Sequence, residues 1–496
     1  MLFQKNKITS LCNKYYNKVI ENFSKNNIFY IYNNNRTSYK NASNKIKKFI
    51  KFFQQNKKRL NIVVYCDKSE ELYSLIQAIF LSDNVFIPIS KNTPVKRIIS
   101  MLSNIKIDYF IYDNFEEKII FNKLKKKFNI KNIKEINKFS ISRKTILTNS
   151  IQDYNNTAMI YYTSGSTGVP KGTKISHYNY IKDFFLQKKH LYKNISKKLI
   201  FGDYHETSFS IFFDIYFPAV FFGSALCPAK TFFEKTEIID HLKKNSINVL
   251  ITVPSSIQRI SGLYKKLNLK EEIKLMIITG ETFYLNQLRY LFNNMKINNL
   301  YNCYGSTELS NWVFFHKCKK KDLITFQKYN LVPIGKIFNS IKYKLKDKIL
   351  HIGGDVVSKG YLEKSQNKNK FYQSNNLNWY NTEDRVIKFK NIFICKGRNK
   401  NIIKIFGYRV DLSDIETNIR KIKNINEAYC LKKVTGYRED IIAIINYFEE
   451  FDEKKIQKSL CDYLPKYMIP KKIIALKKFP LNNNGKVDRG KLRSVH

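Results

Sequence analysis

Tyr162-Thr163-Ser164-Gly165-Ser166-Thr167-Gly168-Val169-Pro170-Lys171-Gly172 follows directly on the apolar, aromatic run Ala158-Met159-Ile160-Tyr161. A buried strand that stops at a Gly/Ser/Thr cluster must turn there. Glycines let a backbone approach an anion, hydroxyls donate hydrogen bonds, and Lys171 adds a point charge. Together they form a phosphate-binding turn. The spacing is not Gly-x-x-x-x-Gly-Lys-Ser/Thr, so the usual P-loop of ATPases is excluded.

Upstream of the loop, strand-like runs (Asn61-Ile62-Val63-Val64-Tyr65-Cys66) alternate with helix-like ones (Glu70 to Phe80), the pattern of parallel α/β architecture. Residues 116 to 157 are Lys/Asn-rich and predict a helix and a connection into the loop strand. After Ile337, strand-length runs at Ile349-Ile352, Arg385-Phe389 and Ile392-Cys395 predict a β-rich section, with a small α+β module from Gly397 onward. A chain of 496 residues exceeds one ordinary core and predicts two to four domains.

Net charge is +48, from 88 Lys+Arg against 40 Asp+Glu. Such an excess by itself points to nucleic acid or an anionic membrane. Here it is mostly lysine spread along the whole chain. The denser runs Lys125-Lys127 and Lys319-Lys321 read as solvated surface, so neither nucleic acid nor membrane is expected as a partner. Eight cysteines without Cys-x-x-Cys spacing argue against a zinc ribbon or redox dithiol and fit a reduced, cytoplasmic setting. The N-terminus lacks a secretory signal, and no run reaches about 18 apolar residues.

The loop resembles the signature of the adenylate-forming, AMP-binding superfamily: acyl-CoA synthetases, peptide-synthetase adenylation domains, carrier-protein ligases and luciferases. Arg36-Thr37-Ser38-Tyr39 and Asn84-Val85-Phe86-Ile87-Pro88-Ile89 resemble its first two core motifs. The resemblance spans nearly the whole chain and implies a free-standing enzyme. The architecture it implies is α/β plus β-barrel, with a large N-terminal part (1–396) of two α/β subdomains and a barrel. A small, mobile C-terminal α+β lid (397–496) is expected to follow.

Activating a carboxylate with ATP requires groups that hold the purine, gather phosphate charge and stabilise the charge developing in transfer. The resemblance assigns phosphate binding to Thr163, Ser164, Gly165, Ser166, Thr167, Gly168 and Lys171. Asn302-Cys303-Tyr304-Gly305-Ser306-Thr307-Glu308 resembles Asn-x-Tyr-Gly-x-Thr-Glu: Tyr304 and Gly305 at the adenine, Thr307 at phosphate, Glu308 on Mg²⁺. Gly280 and Glu281 resemble the adenine-flanking Gly-Gly-Glu, with Thr279 in place of the first glycine. Tyr380-Asn381-Thr382-Glu383-Asp384 looks like Tyr-x-Thr-Gly-Asp, with Asp384 on the ribose and Glu383 where glycine is usual. Arg398 is expected at the nucleotide, and Lys400 at the hinge, where backbone rotation is what matters. Lys486, in Asn484-Gly485-Lys486-Val487-Asp488, is the expected catalytic lysine, binding the substrate carboxylate and the α-phosphate.

Leu464-Pro465-Lys466-Tyr467-Met468-Ile469-Pro470 and the Lys486 motif look more like amino-acid adenylation domains and carrier-protein ligases than CoA ligases. The expected acceptor is therefore the phosphopantetheine thiol of a separate carrier protein, with CoA as the alternative. A catalytically impaired nucleotide-binding relative stays open because of Glu383 and of an Asp that is missing from the acyl segment. Families that activate α-amino acids carry an Asp at the place where Ser210, or Phe209 one residue earlier, stands here. Asp214 reads as the segment's second acid, as a clamp for an amino group placed elsewhere on the substrate, or as a structural acid. His205, Ser210, Phe213, Asp214, Cys303, Asn311 and Trp312 are the acyl-pocket candidates; Trp312 limits its depth or belongs to the core, and His205 gates it or is structural. Replacement Lys486→Ala is expected to lower ATP/pyrophosphate exchange by about 10²- to 10³-fold, and a near-normal rate would remove this lysine from the mechanism.

Overall fold

The structure is a computed structural model that describes the chain apart from residues 1, 57, 115–117, 139–145, 166–169, 194, 196–197, 264–271, 399–401, 406, 424, 436–437, 448–451, 478, 481–491 and 493–496. It divides into two compact units. One comprises Met1–Lys91, Lys106–Tyr161 and Thr173–Gly397; the other Asn92–Ile105, Tyr162–Gly172 and Arg398–His496.

The first unit is built on two largely parallel sheets. A nine-stranded sheet runs in the order Lys336–Ile337, Asn311–Lys317, Leu300–Ser306, Leu275–Thr279, Val249–Thr252, Ile200–Asp203, Ala225–Pro228, Ile28–Tyr32, Asn35–Ser38. Its middle strands, from Leu300–Ser306 to Ile28–Tyr32, are parallel, and antiparallel strands flank them. A six-stranded sheet holds Asn61–Tyr65 and Val85–Pro88 at its centre and carries Thr157–Thr163, the strand that feeds the candidate phosphate-binding segment. Parallel strands of this kind are apolar on both faces and need helices over them.

Helix Ile211–Phe222 shows how the sequence supplies that cover. It is apolar almost all round, which only a buried helix tolerates. It ends at Gly223, whose φ of 63° is the left-handed conformation that closes helices. Helix His177–Leu191, opened by a Ser176/Asn179 capping box, packs beside it. Between them lies an aromatic stack: Phe217 is parallel to Tyr180 at 4.2 Å and to Phe213 at 4.4 Å.

The anticipated β-rich section is a five-stranded sheet containing Lys342–Lys346, Ile349–Gly353, Leu377–Phe389, Phe371–Ser374 and Ile392–Arg398. Its pairings are antiparallel, and among the described residues they do not close into the barrel that the resemblance implies. The weakly patterned segment before the turn holds helix Lys118–Lys125 as expected. It also holds a strand, Ile130–Asn132, that its composition hid; parallel pairing with Tyr109–Tyr112 recruits it.

The second unit has its own core, with helix Leu412–Ile419 and strands Ile425–Thr435, Arg438–Tyr447 and Lys472–Leu476 around Ile415, Ala443 and Leu460. A two-stranded hairpin, Ile402–Ile405 with Tyr408–Asp411, completes it. Within this unit the Arg97 guanidinium forks onto the buried Asp414 carboxylate, at 2.8 and 3.4 Å. No helix among the described residues is long and apolar enough to cross a membrane. Phe217→Ala is expected to destabilise the first unit by about 3–5 kcal/mol, read from denaturant unfolding followed by near-ultraviolet dichroism.

Candidate active site

The adenine, phosphate and acyl candidates of the first unit converge because two parallel strands, Leu275–Thr279 and Leu300–Ser306, end at the same sheet edge, with Thr279 beside Cys303. Gly280 follows with φ 86°; a Cβ there would meet Ile211 and Val253 at 3.2 Å. The Glu281 carboxylate accepts the amide (2.8 Å) and hydroxyl (3.1 Å) of Ser255, in the first turn of helix Pro254–Leu263. That is a stabilising place for an anion, whatever else the residue touches.

The chain then reverses tightly. Ser310 and Asn311 both take positive φ (59° and 115°), and strand Asn311–Lys317 returns antiparallel with a register shift after Tyr304. At Gly305 a Cβ would lie 1.5 Å from the Asn311 carbonyl oxygen, so only glycine fits. This reversal presents Tyr304, Thr307, Glu308 and Asn311 together. The Tyr304 hydroxyl donates to Asp384, bringing the adenine and ribose candidates into contact. Asp384 is itself held by its amide on Thr382 Oγ1 at 3.1 Å. Glu383, in place of the usual glycine, has φ 59°, which explains the usual residue. Its carboxylate pairs with Lys370, and its amide donates to Asn381.

Glu308 is fully buried and accepts the Tyr361 hydroxyl at 2.8 Å. Thr307 and Ser210 share a hydrogen bond of 3.2 Å. His205 Nε2 donates to the Ile251 carbonyl at 3.1 Å. Phe213 lies in the aromatic stack, 5.7 Å from Tyr161. Trp312 and Cys303 are buried, and burial first, then Asp214, pushes the Cys303 thiol up.

Around Asp214, beside the candidates Ser210 and Asn311, the structure gathers two residues the sequence reading did not single out, Asp183 and Gln187. Gln187 Nε2 donates to Asp214 Oδ1 and to Asp183 Oδ2, both at 2.8 Å. Asn311 Nδ2 donates to Asp214 Oδ1 and to the Ser210 carbonyl, both at 3.3 Å. Burial raises both carboxyls well above the ordinary range, and Asp214 adds to the rise of Asp183; the amides of Gln187, Asn311 and Trp312 oppose it. The i, i+4 spacing of Asp183 and Gln187 was legible as one helix face. Its meeting with Asp214, 27 residues beyond Gln187, was not.

The turn candidates sit in the second unit. Ser164 Oγ donates to the Arg409 carbonyl at 2.7 Å and accepts the Asp411 amide at 3.1 Å, so the start of the turn is stitched to strand Tyr408–Asp411. The Thr163 hydroxyl is buried without a partner among the described residues. Gly165 is buried and Lys171 opens strand Lys171–Ser176. Ser166, Thr167, Gly168, Lys400 and Lys486 lie outside the described residues, as does the Arg398 side chain.

The protonated form of a raised carboxyl is the stable one in the fold. That contribution is present below the ordinary aspartate value of 3.8 and is lost as pH rises through the raised value. Asp214→Asn is therefore expected to melt higher than the parent at neutral pH, with the gap closing as pH falls towards 4. A gap independent of pH in calorimetry would show that Asp214 carries no raised value.

The family model for "AMP-binding enzyme" matches residues 18–362. A D-alanine--D-alanyl carrier protein ligase of Lactococcus lactis is 32% identical over 68% of this chain and 69% of its own length. One of Listeria monocytogenes is 26% identical over 94% of this chain and 95% of its own. The adenylation domain AlmE of Vibrio cholerae, solved with glycyl-adenosine-5'-phosphate, superposes with a TM-score of 0.83 at 18% identity, covering 97% of each chain. With the tight Gly305 reversal and the Tyr304–Asp384 contact in the matched fold, this chain belongs to the AMP-binding enzymes.

Proposed function

We propose that this protein activates a carboxylic acid, an amino acid or a related acid, with ATP and transfers the acyl group to the phosphopantetheine thiol of a separate carrier protein. The observation that carries this reading is the convergence of Tyr304, Thr307, Glu308 and Asp384 on one edge of the first unit, in a chain similar to carrier-protein ligases over almost its full length.

In the first half-reaction a substrate carboxylate oxygen bonds to the α-phosphorus of ATP and the bond to pyrophosphate breaks. In the second, the thiol sulfur bonds to the acyl carbon, the bond to AMP breaks, and the thiol proton is lost to solvent. The Tyr304 ring is suited to lie against the purine. An ionised carboxylate has about four lone-pair sites, so Asp384 can accept ribose hydroxyls as well as Tyr304. Thr307 would donate to phosphate. Lys486 would neutralise substrate carboxylate and α-phosphate together, and Arg398 would contact the nucleotide.

Glu308 offers the hard oxygen that Mg²⁺ prefers, and among the described residues no group of three or more His, Cys, Asp or Glu side chains is placed to hold a metal ion by itself. An ion held by Glu308 would draw its other ligands from phosphate and water, as Mg²⁺ commonly does. Bound there, it would supply neutralisation of phosphate charge. The C-terminal α+β module is inferred to act as the lid, turning near Lys400 between the half-reactions. Eight free thiols support a cytoplasmic setting.

The test is pyrophosphate exchange across a panel of acids, followed by thioester formation on a phosphopantetheinylated carrier protein and on CoA. Acid-dependent exchange is expected, with carrier loading at least about tenfold faster than CoA loading. Faster loading of CoA would replace the acceptor, and absence of exchange with every acid would overturn the activation reading.

A further inference from the structure

The first unit contains a buried acidic pair that nucleotide chemistry does not need. Asp183 and Asp214 are each 2% exposed, come from different helices, and are joined through the single amide of Gln187. Their donors are neutral: Gln187, Asn311 and the Trp312 amide. Among the described residues no lysine or arginine acts on either acid, although the chain carries 88 of them. Asp214 Oδ2 has no hydrogen-bond partner among the described residues, and neither has the Tyr192 hydroxyl, which lies within electrostatic reach of it. Pro218 adds to the imbalance, because it has no N–H to give to the Asp214 carbonyl four residues back. Buried polar atoms are ordinarily partnered, and buried charge is ordinarily paired. Protonated while it is empty of cations, the pair becomes acceptor-rich on ionising, and an ammonium is the charge that would hold it ionised.

Its position sets the length of the ligand. Ser210 is bonded to Thr307, and Asn311 bridges the Ser210 carbonyl to Asp214 Oδ1, so the acidic pair lies one layer behind the Thr307 hydroxyl. Along helix Ile211–Phe222, Asp214 is about 6 Å beyond Ser210 at 1.5 Å per residue. An extended carbon chain covers that distance in about five bonds. On the resemblance drawn from the sequence, an α-ammonium would be met at Ser210 or Phe209, and neither carries a charge.

We propose that Asp214, supported by Asp183 and Gln187, receives a terminal ammonium of the acyl substrate, so that the acid activated is an ω-amino acid rather than an α-amino, hydroxy or fatty acid. This assignment rests on the acid-activation reading above. Asp214 touches the ammonium and sets specificity. Asp183 acts through Gln187 as a positioning residue.

The experiment compares pyrophosphate exchange with the straight-chain ω-amino acids from 3-aminopropanoate to 6-aminohexanoate, their unsubstituted and ω-hydroxy counterparts, and α-amino acids. Parent, Asp214→Asn and Asp183→Asn proteins are used, and melting temperatures check that each is folded. The expected result is one ω-amino acid preferred over its neutral counterpart by at least about 10²-fold in kcat/KM. Asp214→Asn should erase that preference while melting no lower than the parent. Asp183→Asn should raise KM for the amino acid with a smaller change in kcat. Equal rates for the neutral counterpart, or an α-amino acid signal undiminished in Asp214→Asn, would overturn this inference and leave acid activation standing. Silence with every acid, in protein whose melting temperature is raised by AMP, would remove both.

Discussion

The close approach of two backbones at Gly305 is the constraint on which the site depends. An added Cβ would lie inside bonding distance of the Asn311 carbonyl oxygen, so the strand Leu300–Ser306 and its return can pack this tightly only without a side chain. The left-handed residues Ser310 and Asn311 make the reversal short enough. One hairpin thereby sets out Tyr304, Thr307, Glu308, Asn311 and Trp312 within a dozen residues, each aimed by backbone geometry. Loop-borne groups are placed well when the elements beneath them are rigid, and the parallel strands on one side of the hairpin supply that rigidity.

Behind the hairpin, an aromatic core carries the energetics. Phe213, Phe217 and Tyr180 stack between two helices, and Tyr15, Phe184 and Phe221 extend the cluster. Large rings bury much surface and prefer stacked or edge-on contacts, so they hold the two helices in a fixed relation. The same helices bring Gln187 and Asp214 together. The polar pair is thus a product of apolar packing: its members are close because the rings around them fit.

Much of this was legible in the residues. The turn after Ala158–Tyr162, the Tyr304 and Asp384 motifs and the alternation of strands and helices depend on local order, and local order survives in a linear string. Glu383 illustrates the point from the other side. Its substitution for glycine was visible, but the reason glycine is usual, a positive φ, came with the structure. The strand Ile130–Asn132 was missed because three residues of mixed polarity carry no periodicity; pairing with a neighbour made them a strand. The β-rich section expected after Ile337 is an antiparallel sheet: strand content is local and could be read, whereas closure into a barrel depends on which edges pair.

By itself the sequence determined the family, the nucleotide motifs and the order of the elements, since each of these rests on residue types at fixed short spacing. Only the tertiary structure decided which distant side chains share a buried space. Asp183 and Asp214 are 31 positions apart in number and mean little separately, but desolvation and a shared amide make them one electrostatic unit. Burial and long-range contact belong to the packed core rather than to any stretch of chain. That is why the candidate nucleotide residues could be picked out from motifs, while the buried acidic pair had to wait for the fold.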